Sequence, residues 1–133
     1  APSWKLRVGV SMTTTKPPHS TDTSQLLPHH RLIAYQVAVE LMQRVAGMRI
    51  ADARLREQAR KSAAACALNV AEGAARVSRA DKARVFGIAR AEACEAAAAV
   101  EIAAVLKAAS AADAAAVVAL AVRVKNLLAG LMR

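Results

Sequence analysis

The chain has 133 residues, enough for one domain, and more than a quarter of them are alanine. Aromatics make up only 2% of it and no alternating β-branched run occurs, which excludes a sheet protein and indicates an all-α fold. The formal charge of +9 and the pI near 10.6 favour polyanionic partners such as nucleic acid or an acidic protein surface.

Residues 1–27 hold three prolines and a Thr/Ser-rich run, with no helical period, and read as a disordered leader. His19, His29 and His30 fall in or just after it, without the Cys or carboxylate cluster that a metal site needs. Residues 28–133 read as one helical bundle. Pro28 suits a first helical turn, and a first helix is predicted to about Ala46 with Gly47 as its C-cap. Leu32, Tyr35, Val39, Met42 and Ala46 form one apolar stripe, and Val37, Leu41 and Val45 a second, so this helix needs more than one packing partner.

A second helix is predicted from Asp52 to about Gly73. At 100° per residue its inner face carries Leu55, Ala59, Ser62, Cys66, Asn69, Val70 and Gly73, with Gln58 at the edge and Leu68 pointing away. Basic stripes flank that face: Arg54, Lys61 and Arg76 on one side, Arg49, Arg56 and Arg60 on the other. Gly73 marks a turn. Ser78 stands where an N-cap belongs, with the Asp81 carboxylate three residues on expected to reach back to it. The third helix then runs from Arg79 to about Ala109, with Val85, Ile88, Ala89, Ala96, Ala99, Ala103 and Leu106 inward and Glu92 and Glu95 on or beside that face. Ser110 and Asp113 repeat the cap signature before a fourth helix to about Met132, whose inward stripe is Val117, Leu120, Val124, Leu127 and Leu131. Four helices with short links give an up-down-up-down bundle.

In an antiparallel pairing of the second and third helices, residues equidistant from the turn lie side by side. Gln58 then meets Glu95, Ser62 meets Glu92, and Asn69 lies beside Val85, so that Gln58, Ser62, Asn69, Glu92 and Glu95 are expected to form a structural polar network. Glu72 most simply pairs with Arg76 one turn later. Cys66 and Cys94 lie in alanine-rich runs and read as reduced, buried small hydrophobes.

No helix contains Glu-x-x-His, no His stands within plausible reach of Ser62, and no Gly-rich phosphate loop occurs. A non-enzymatic protein without cofactor or metal is expected. No stretch of 18 uninterrupted apolar residues is present, so a cytoplasmic protein that does not cross a membrane is expected. Arg54, Arg56, Arg60, Lys61, Arg76, Arg79, Lys82 and Arg84 are the candidate nucleic-acid contacts. Without interleaved aromatics they would grip phosphates with little sequence preference. The alternative is a protein-interaction scaffold on which charge only tunes solubility. Thin alanine helices bury little area each, so self-association is expected in either case.

With these residues placed, residues 30–110 resemble the four-helix-bundle proteins encoded in intervening sequences of bacterial 23S rRNA genes. The matching elements are Ala34-Tyr35-Gln36-Val37-Ala38, the run from Gln58 to Ser62, Asn69-Val70-Ala71-Glu72-Gly73, and Phe86-Gly87-Ile88-Ala89 leading to Glu95. Ala91-Glu92 replaces the family's usual Gly-Ser pair, and the link between the first two helices lacks its Pro-containing turn. The resemblance implies a homopentamer. It also implies kinship with accessory proteins of diversity-generating retroelements, which bind nucleic acid and a reverse transcriptase, so an accessory subunit of such an enzyme is a further form of the scaffold reading.

Overall fold

The computed structural model describes residues 25–133 of the chain, so most of the expected leader, His19 included, lies outside the described residues. A short 3-10 turn at Pro28–Arg31 precedes four α-helices: α1 (Ile33–Gly47), α2 (Ala53–Ala75), α3 (Arg79–Val105) and α4 (Ala111–Leu131). Among the described residues there is no strand. Each helix packs on its neighbours in the chain and α1 closes against α4, which makes a four-helix bundle. Its core is built from Val37, Leu41, Val45, Ile50, Val70, Val100, Val117, Val124 and Leu128, threaded between buried alanines. Both apolar stripes of α1 are used inside one chain, because α1 sits between α2 and α4.

The caps set three of the helix starts. Asp52, Ser78 and Ser110 accept the backbone N–H of Leu55, Asp81 and Asp113 respectively, each satisfying one donor that a helix start leaves open. The carboxylates three residues on do not return the bond. Asp81 turns to Arg76 and Arg84, and Asp113 to Arg44 of α1 at 3.2 Å, since a guanidinium offers a charged donor where the backbone offers a neutral one.

Several expectations are corrected. Pro28 opens a separate 3-10 turn; the backbone is extended at Leu32, and α1 begins only at Ile33. Gly73 is not the turn but a buried residue inside α2, which continues to Ala75. A β-carbon there would lie 2.7 Å from the Phe86 ring, so glycine serves a close approach of α2 and α3. The third helix stops four residues early, at Val105, because Lys107 adopts φ 62° and turns the chain toward α4. Ile88 and Leu106 are exposed rather than inward, at 41% and 60%. In α4 the core positions are Val117, Ala121, Val124 and Leu128; Leu120 and Leu127 are half-buried and Leu131 is exposed. A straight 3.6-residue helix drifts off a strict heptad, which carries Leu131 out of the core. Cys66 is buried as expected, but Cys94 is exposed, and both are free thiols.

Candidate nucleic-acid interface

The α1–α2 and α3–α4 links meet, and the Ala51 N–H donates to the Ala108 carbonyl there at 2.7 Å. The α2–α3 turn lies at the opposite end of α2, and the 3-10 turn at the opposite end of α1. The eight expected contacts divide between these ends. Arg54, Arg56, Arg60 and Lys61 stand in the first half of α2, and Arg76, Arg79, Lys82 and Arg84 surround the α2–α3 turn. From Lys61 to Arg76 is about 22 Å at 1.5 Å per residue, so they do not form one continuous stripe.

The two groups differ electrostatically. At the turn, Arg76 pairs with Glu72 and lies 3.4 Å from Asp81, and Arg84 donates to Asp81 at 2.9 and 3.0 Å. The hydrogen bond to Glu72, then the Asp81 charge, raises the Arg76 pKa above its ordinary value. Lys82 donates to the Ala74 carbonyl at 2.7 Å, leaving only Arg79 without a partner. Two carboxylates thus neutralise much of this cluster.

At the link end Arg44 pairs with Asp113, and among the described residues the other cations have no carboxylate partner. Arg56 donates to the Ile50 carbonyl at 2.9 Å and Arg60 to the Ala46 carbonyl at 3.3 Å. Those carbonyls lie at and just beyond the C-terminus of α1, where a positive charge is favoured and no carboxylate is consumed. Arg54 and Lys61 are exposed and make no side-chain bond among the described residues. Arg49, from the other basic stripe, and Lys107 join this group. Both line a crevice of about 360 Å³ with Ser110 and Asp113. The sequence places Lys107 inside a continuous third helix, and no local signal marks the positive-φ turn that presents it.

The polar residues between α2 and α3 are placed as follows. The Gln58 amide donates to Glu95 Oε1 at 2.8 Å and to Ser62 Oγ at 3.0 Å, so these two helices run antiparallel with positions 58 and 95 side by side. Ser62 is 1% exposed, whereas Glu95 is exposed. Ser62 is not bonded to Glu92; the longer Gln58 side chain covers it instead. Asn69 does not join the network, since its amide donates to the Ala65 carbonyl of its own helix at 2.8 Å. Glu92 is half-buried, and its charge acts on Cys66: burial first, then Glu92, then Cys94 push that thiol up to about 12. Glu72 pairs with Arg76, as the i, i+4 spacing suggests.

At the far end His29 and His30 belong to the 3-10 turn, their rings 4.4 Å apart, with the Tyr35 ring edge-on to His29 at 4.6 Å. Burial, then the neighbouring His30, lowers the His29 pKa, and burial raises that of Tyr35. Among the described residues no group of three His, Cys, Asp or Glu side chains is arranged to hold a metal.

A basic, alanine-rich four-helix bundle is the class these features define. The family model of the 23S rRNA-intervening sequence proteins matches residues 30–130, and the chain belongs to that family. No curated protein matches the chain.

Proposed function

We propose that this protein is a non-enzymatic nucleic-acid-binding protein that grips phosphate backbones with the link end of its bundle. The observation that carries this reading is the gathering of Arg49, Arg54, Arg56, Arg60 and Lys107 at that end, none of them with a carboxylate partner among the described residues. Bare guanidinium and ammonium groups without aromatics bind phosphates and release counterions, and they read no base edges. In this reading the helices run up-down-up-down and the chains assemble as a homopentamer, which brings five basic ends into one array and multiplies a weak contact. The antiparallel α2–α3 pair and the family membership support that arrangement.

The test is binding to labelled RNA and DNA, single- and double-stranded, across a series of salt concentrations. Engagement of about four phosphates gives a log–log slope of about −3 to −4. Reversing Arg49 and Arg54 to Glu, two exposed residues that bond to no side chain among the described residues, weakens binding to all sequences alike and flattens the slope. Affinity untouched by that double reversal, or no binding at low salt, returns the protein to the scaffold reading.

A further inference from the structure

The helix α4 is anomalous for a bundle helix in a protein of charge +9. It is long and apolar enough to cross a membrane by length and composition, yet only 28% of its most apolar stretch is buried. Ala112, Ala115, Ala119 and Val122 lie exposed along its outward side at heptad spacing. Beside them a groove of about 500 Å³ runs between α4 and the end of α3, floored by alanines and walled by Val105, which is 78% exposed, and by Glu101. Glu101 is exposed and, among the described residues, its carboxylate forms no ion pair or hydrogen bond. A floor of β-carbons lets a second helix approach to about 8 Å, the short end of helix–helix spacing.

The same chain carries a helix face that fits this groove. On the outward side of α2, Leu68 is 71% exposed and Lys61 stands seven residues before it, exposed and unbonded. Seven residues span about 10 Å of helix, and the groove floor from Ala111 to Ala119 spans about 12 Å. With Leu68 seated beside Val105 at the Ala111 end, Lys61 reaches the Glu101 end. Ala64, Ala71 and Ala75 flank Leu68 along α2 and keep the approach close. Within one chain α2 packs mainly on α1 and α3, which leaves its outward face away from this groove. A bilayer suits the groove less well: interfacial helices insert Trp, Phe or Leu and flank them with cations, whereas this face offers alanine and a carboxylate.

We propose that the α3/α4 groove of one copy receives the outward face of α2 from the next copy, with Leu68 against Val105 and Lys61 on Glu101. This rests on the self-association part of the functional reading and specifies its contact. The two faces differ, so the contact is heterologous, the kind that builds a closed ring or an open filament.

The experiment is light scattering across a micromolar concentration series on the full chain, with circular dichroism confirming that each variant is helical. The native chain is expected to be multimeric. Leu68→Asp gives monomers, and Lys61→Glu or Glu101→Lys alone raises the dissociation midpoint by about tenfold or more, the scale of a central contact. The double variant, with both charges exchanged, recovers the native midpoint. A native multimer indifferent to all of these places the contact elsewhere and overturns the proposal while self-association stands. A monomeric native chain overturns both. Flotation with neutral phosphatidylcholine vesicles that Ala115→Arg abolishes identifies a bilayer as the occupant and also overturns it.

Discussion

The Gln58 amide spends both of its protons on neighbours of unequal exposure, and the two bonds differ in worth for that reason. Ser62 is buried, so removing Gln58 leaves a hydroxyl without its donor and without water; Gln58→Ala should cost about 1–3 kcal/mol in urea unfolding. Glu95 is exposed, and water replaces what Gln58 supplied. Glu95→Ala should cost less than about 1 kcal/mol and Glu95→Gln less still, because the amide carbonyl keeps an acceptor in place. An equal loss for Gln58→Ala and Glu95→Ala would show that the inner bond carries no special weight. Cys66 makes a second case. Its thiol is held neutral by burial and by Glu92, with a folded pKa near 12 against an ordinary 9.0. The folded state therefore binds the proton more tightly than the unfolded one. That contribution is complete below pH 9 and is lost as pH rises from 9 toward 12. In a Cys94→Ser background, a thiol reagent should titrate no cysteine in the native protein at neutral pH and one in denaturant.

At the scale of the helices, the α2–α3 pair is governed by one absent side chain. Alanine is the better helix former by about 1 kcal/mol, so a helix-propensity argument predicts that Gly73→Ala stabilises α2. The new methyl would meet the Phe86 ring at 2.7 and 2.8 Å, and Phe86 is 3% exposed with nowhere to move. Overpacking costs about 1–3 kcal/mol, so the clash should win and Gly73→Ala should lower the melting temperature. Adding Phe86→Leu should cost less in the Gly73→Ala background than in the native chain; strictly additive losses in that double-mutant cycle would remove Phe86 as the cause.

For the whole molecule, the charge of +9 repels itself, and the ion pairs at the α2–α3 turn relieve little of it at the link end. Monovalent salt screens that repulsion within a Debye length of about 8–10 Å at 0.10–0.15 M. The melting temperature should therefore rise by a few degrees between about 10 mM and 150 mM salt, where the Debye length falls from about 30 to about 8 Å. A fall over the same range would mean that the surface ion pairs outweigh the net charge. Raising salt thus firms the fold and weakens phosphate binding together, which separates the two effects in a single titration series.

Helix number, helix order and the Ser78 and Ser110 starts were legible in the sequence, because alanine content, apolar spacing and cap chemistry are local and act within one turn. The Gln58–Glu95 pairing was legible too, since an antiparallel hairpin ties position to position once its turn is placed. The tertiary structure alone decided where α3 ends, since Lys107 takes a positive φ that no neighbouring residue announces. It decided that Gly73 admits Phe86, a contact between residues whose closeness depends on the crossing of two helices. It also decided which cations remain unneutralised: Asp81 serves Arg76 and Arg84 rather than its own helix start, and Asp113 reaches across to Arg44. In a chain this rich in alanine many faces of a helix are similarly apolar, so rotation about each helix axis is settled by packing against the other three, and Ile88, Leu106 and Cys94 are outside for that reason.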